Sequence, residues 1–150
     1  MKPLIGGEAP SKNQDPERPV EGRIGKRLAN CAGLPYDDFL QHFERVNLLH
    51  ERQEVNGKGF VFDLHKAHGT AIVICTKLEP GRVVLLLGHR VAKAFGIKTA
   101  YFKPQRLQDL FEMTAFVVPH PSSINRWWNS RANVTKAIKF MHDIVEQTRV

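Results

Sequence analysis

Five consecutive apolar residues, Val83-Val84-Leu85-Leu86-Leu87, constrain this chain more than any other stretch. Pro80-Gly81 turns the chain into them and Gly88 stops them. A strand with no polar alternation is buried on both faces. A central parallel strand covered by helices above and below meets that demand. The segments around it read the same way. Lys2 to Ile5 forms a short first strand, followed by a polar loop from Gly6 to Gly22 that is long enough to be functional. Arg23 to Cys31 is helical, with Ile24, Leu28 and Cys31 on one face and Gly33 as its stop. Pro35 starts a second helix carrying Phe39, Leu40 and Phe43, and Arg45 to Leu49 is a second strand.

Glu51 to Gly59 is polar and reads as loop. Phe60 to Leu78 reads as helix, although Ile72-Val73-Ile74 is β-branched. Arg90 to Phe95 begins a helix, Tyr101 to Gln105 is irregular, and Leu107 to Met113 is a short helix. Phe116 to Val118 is the last strand. Ala132 to Gln147 closes the chain as an amphipathic helix through Val134, Ile138, Met141 and Val145. Strands alternate with helices. The expected fold is therefore α/β, a three-layer αβα sandwich around a central, mostly parallel sheet of four strands. No repeat, low-complexity tract or second domain is visible, so residues 1–150 are read as one domain.

Charge points to the partner. With 22 Lys and Arg against 15 Asp and Glu, the formal charge is +7, which favours an anion such as nucleic acid. Cys31 and Cys75 form neither a CxxC pair nor a disulfide framework, so a reducing, cytoplasmic compartment is expected. The N-terminus has no basic-then-apolar leader, and no apolar run is long enough to span a bilayer. Membrane association is not expected. His65 and His68 lie three apart on a helix without further ligands, so they are read as surface residues; no metal or cofactor is expected.

Two turns carry the chemistry. Val117-Val118 runs into Pro119-His120-Pro121, and the flanking prolines fix the backbone around the imidazole. Ser122, Ser123, Ile124, Asn125, Arg126, Trp127 and Trp128 follow. At the other end of the chain, Leu4-Ile5 runs into Gly6-Gly7-Glu8-Ala9-Pro10-Ser11. In open α/β sheets the ligand crevice lies beyond the carboxyl ends of the strands, so these turns are expected to build one composite site.

These residues, taken in order, resemble the uracil-DNA glycosylase superfamily, especially its bacterial and archaeal iron–sulfur branch. The resemblance covers most of the chain. It rests on Gly7-Glu8-Ala9-Pro10, on Gly22-Arg23-Ile24-Gly25-Lys26-Arg27-Leu28, on Asn47 within Arg45-Val46-Asn47-Leu48-Leu49, on the strand-Gly-helix unit from Val83 through Phe95, and on His120-Pro121-Ser122. It implies an intracellular hydrolase of DNA repair, a monomer that flips a base from DNA and cleaves its N-glycosidic bond. By the same resemblance, His120 stabilises the anionic leaving base. Asp15, the nearest acid to the first turn, or Glu8 beside it is expected to orient water. Gly7, Ala9, Pro10, Val20 and Asn47 surround the base, with Asn47 reading its pairing edge. Lys12, Ser122, Ser123, Asn125 and Arg126 contact DNA. Arg18, Arg23, Lys26 and Arg27 would face phosphates if the first loop lines the cleft. Ile124 or Trp127 would fill the gap left by the base, and at least one tryptophan packs in the core.

The chain also departs from the family. Two scattered cysteines do not make a four-thiolate cluster site, so no cluster is expected. Val20 stands where the family has an aromatic that stacks on uracil. Ala9 stands where the best-known branch has an aspartate. Three activities remain open at this level: a glycosylase on DNA, a DNA- or modified-base-binding module on the same fold, and an enzyme acting on free nucleotides or a hypermodified base.

Overall fold

A computed structural model describes residues 1–11, 14–51, 53–54, 60–107 and 113–149. Lys12 lies outside the described residues, as does most of the helix expected between Leu107 and Met113. The described chain runs β1 (Leu4–Gly7), α1 (Gly22–Ala32), α2 (Tyr36–His42), β2 (Glu44–Asn47), β3 (Gln53–Glu54), β4 (Phe60–Val61), α3 (Leu64–Lys77), β5 (Val83–Leu87), α4 (His89–Ala94), β6 (Gln105–Arg106), β7 (Thr114–Val118), a 3₁₀ turn at Arg126–Asn129, and α5 (Arg131–Gln147).

The main sheet has the order β2-β1-β5-β7-β6. β1 pairs in parallel with β2 and β5, and β5 pairs in parallel with β7. β6 pairs antiparallel with β7. The α/β class and the mostly parallel sheet therefore stand, but the sheet has five strands rather than four. The added strand is the two-residue β6, which starts at the last residue of the segment read as irregular. It is anchored by one side chain: Gln105 Oε1 accepts from the Lys98 N–H at 3.1 Å and its amide donates to the Lys98 carbonyl at 2.6 Å. A pattern two residues long carries no period to detect.

β5 sits centrally and its residues split between two cores. Leu85 and Leu87 pack with Leu28 and Ala29 of α1, Phe39 of α2, and Met141 and Ile144 of α5. Val84 and Leu86 pack with Ala67 and Ala71 of α3 and Val91 and Ala94 of α4. Successive side chains of a strand point to opposite faces, so an unbroken apolar run requires both cores. Cys31 and Cys75 are free and belong to different cores.

Gln53–Glu54 and Phe60–Val61 also differ from expectation. Phe60 and Val61 are strand, paired with Gln53 and Glu54 in a small antiparallel hairpin. The helix begins only at Leu64, where the Asp63 carboxylate accepts from the Lys66 N–H. α1 ends at Gly33, as the sequence places it. Among the described residues, no helix is long and apolar enough to cross a membrane.

Candidate functional site

Chain direction locates the site. From β1 the chain moves outward to β2, then crosses back over to β5 and on to β7. The order reverses between β1 and β5, and such a switch point leaves a crevice beyond the carboxyl ends of the two strands. A cleft of about 630 Å³ opens there. The turn after β1 supplies Glu8, Ala9, Pro10 and Ser11. The turn after β5 supplies Gly88, His89 and Arg90, and the loop after β7 supplies His120, Ser122, Ile124 and Asn125. Ile24 of α1 and Tyr101 complete the wall. The two turns singled out in the sequence, Glu8–Ser11 and His120–Asn125, thus meet in one cavity.

His120 is held from its backbone. Its carbonyl accepts the Asn125 side-chain N–H at 2.9 Å and the Trp128 indole N–H at 2.9 Å. Asn125 also caps the 3₁₀ turn, its Oδ1 accepting from the Trp127 N–H at 3.1 Å. Its amide is therefore committed to the loop. Burial pushes the His120 pKa below the usual 6.5; Glu8 opposes this, while Arg90 and His89 add to it. This shift favours the neutral form of the imidazole. Its neighbour Glu8 is largely buried, with Oε2 3.8 Å from Nη1 of Arg90.

Gly88 makes room for this histidine. It sits at φ +90° and ψ 170°, backbone that side-chain-bearing residues rarely adopt. A Cβ there would lie 3.1 Å from the His120 Cβ. Gly88→Ala is expected to cost about 1–3 kcal/mol and to displace the imidazole. Urea unfolding reads the first effect, and the His120 ring resonances read the second. Wild-type stability with unshifted resonances would contradict this account.

Other expected site residues lie elsewhere. Gly7, Val20 and Asn47 pack together beside the cleft without lining it: a Cβ on Gly7 would stand 2.7 Å from Asn47 Oδ1 and 3.2 Å from a Val20 methyl. Val20 is buried with φ +55°, a left-handed conformation unusual for a β-branched residue. Arg45 braces the chain before it, donating to the Pro19 carbonyl and to Glu21, each at 3.1 Å. Asp15 is exposed, away from the cleft wall, where it accepts from the Glu17 N–H. Arg18 pairs with Glu21 at 3.0 Å. Ser123 faces a neighbouring groove, and Arg126 is exposed and lines neither concavity.

The tryptophans divide from Ile124. Trp128 is 7% exposed, and Trp127 packs edge-on against Tyr101 at 5.9 Å. Ile124, at 89% exposure, is the apolar side chain that the His120 loop presents to solvent. Sequence reasoning did not name His89, Arg90, Ile24 or Tyr101 as site residues. His89 and Arg90 carried a signal, since they open the helix that follows the central strand. Tyr101 carried none: it reaches the wall from an irregular segment next to Phe102 at φ +62°. No protein-family model matches the chain, and no curated protein matches it either.

Proposed function

We propose that the chain is a DNA glycosylase that hydrolyses the N-glycosidic bond of uracil or a related modified base. The observation that carries this reading is His120: a half-buried, backbone-anchored imidazole on the wall of the switch-point cleft, beside the Glu8 carboxylate. The αβα layering that leaves this cleft open at the strand ends supports it further.

The reaction follows from those groups. As the bond between the base nitrogen and C1′ breaks, its electron pair moves onto the base and charge gathers on O2. An imidazole N–H aimed at that oxygen stabilises the transition state more than the ground state. Water adds to the electron-poor C1′, and Glu8 takes its proton. The products are the free base and an abasic sugar. Tyr101 supplies the non-histidine aromatic surface on the cleft wall, in place of the ring absent at Val20. A flipped base stacks on such a surface. The exposure of Ile124 supports it as the side chain that enters the gap in the strand.

One observation favours the binding-module reading. Asp15 is off the cleft wall, which leaves Glu8, already paired with Arg90, as the carboxylate there among the described residues. A panel of oligonucleotides carrying uracil, hypoxanthine, xanthine or 5-hydroxymethyluracil, single- and double-stranded, separates the two. Alkali-revealed cleavage at one of these bases is the expected result. Retention of the DNA without cleavage of any substrate would reject the enzyme and select the binding module.

A further inference from the structure

A second concavity, of about 490 Å³, lies on the other side of the His120 loop. One wall is a single face of α1: Arg23, Lys26, Arg27 and Asn30 are spaced i, i+3, i+4 and i+7. The facing wall is apolar, from Val134 and Ile138 of α5. Ser123 closes one end, and among the described residues no carboxylate lines the groove.

The cations there face rings and solvent. Arg23 and Lys26 are exposed. Lys26 Nζ lies over the Tyr36 ring at 5.7 Å, and the Arg27 guanidinium lies over Trp128 at 5.1 Å. Nη1 of Arg27 is buried without a hydrogen-bond acceptor among the described residues. A buried charged donor left without a partner is costly, and the remaining edge of the guanidinium, on a residue that lines the groove, is the part an anion there can meet. The groove also shares two walls with the cleft. α1 gives Ile24 to the cleft and Arg23 to the groove; the loop gives Ser122 to the cleft and Ser123 to the groove. The two concavities are therefore adjacent, with α1 and the His120 loop forming their common border.

We propose that this groove holds the backbone of a single DNA strand beside the nucleotide in the cleft. The assignment rests on the nucleic-acid reading of that cleft. Arg23, Lys26, Arg27 and Ser123 take phosphate oxygens, while Val134 and Ile138 take the sugar and base. A cationic wall facing an apolar wall matches the two sides of a nucleotide strand. It matches an acidic peptide poorly, because carboxylates would leave the apolar side uncovered.

The test is the salt dependence of binding to oligothymidylate, a strand with no base to excise. Arg23→Gln combined with Lys26→Gln is expected to lower the log–log salt slope by about 1.4, at about 0.7 for each phosphate no longer neutralised on a single strand. Arg23→Gln alone should lower it by about 0.7. Both side chains are exposed, so the fold should tolerate their loss. Lys77→Gln, on α3 across the sheet, should leave the slope unchanged. An unchanged slope in the double variant would overturn the groove even if wild type excises uracil. A lowered slope would keep it even if wild type excises no base. Poly-glutamate binding with the same affinity and slope would overturn the assignment to DNA.

Discussion

His120→Ala is expected to slow base release by about 10²- to 10³-fold, the usual cost of removing one donor aimed at a developing oxyanion. Affinity for uncleaved DNA should change little, because the interaction strengthens only as charge forms on the base. Single-turnover excision on the best substrate of the panel measures the rate, and titration with uracil-free DNA measures the affinity. Equal excision rates in wild type and variant would remove His120 from the mechanism. A drop in affinity that matches the drop in rate would make it a binding residue instead.

The same substitution has a signature in stability. Burial lowers the pKa of His120, and burial with nearby Arg149 and Lys2 lowers that of His42. Between each lowered value and 6.5 the unfolded chain binds more protons than the folded one, so stability rises with pH across that window. It is complete above 6.5 and is lost as pH falls through the folded values. His120→Ala should flatten the part of this dependence that His120 contributes and leave the part due to His42. The urea midpoint followed from neutral to acid pH reads both.

The sequence made the architecture legible where burial was unambiguous. Val83–Leu87 announces a strand covered on both faces, and the two cores that Leu85 and Leu86 enter separately are the reason such a run exists. Short elements leave no such trace. Phe60-Val61 reads as the start of an apolar helix, but the Asp63 cap starts the helix at Leu64 and frees the pair to join β3. At the site, the two loops read as functional do converge, because both leave the carboxyl ends of parallel strands. Side-chain reach is what spacing misses. Nearness in sequence to Glu8 suggests Asp15 as a water-orienting acid, yet its carboxylate turns back on its own loop. The resemblance puts Asn47 at the base, and it packs on Gly7 beside the cleft. Side-chain direction in a loop depends on partners far along the chain, such as Arg45 under Pro19, and spacing does not encode them.

Trp128→Ala should be the most destabilising of the substitutions considered, by about 3–5 kcal/mol. That is a large share of the roughly 5–15 kcal/mol that holds a domain of ordinary stability together. The indole is 7% exposed and packs in the core beneath α1 and α5. Its loss opens a cavity, leaves the Arg27 guanidinium without its aromatic face, and removes one of two donors on the His120 carbonyl. Trp128→Phe separates these effects. It keeps most of the packing and a ring for Arg27, and it deletes the N–H. The expected cost falls to about 0.5–1.5 kcal/mol, the net worth of one hydrogen bond. If that bond positions the imidazole, excision should slow in Trp128→Phe although every group lining the cleft is unchanged. Urea unfolding and single-turnover excision on the same preparations decide it. A phenylalanine variant with wild-type stability and rate would show that Asn125 alone holds the loop. A variant of wild-type rate but reduced stability would confine Trp128 to packing. Loss of rate beyond what the stability change can explain would tie the buried tryptophan, through one backbone carbonyl, to the orientation of His120.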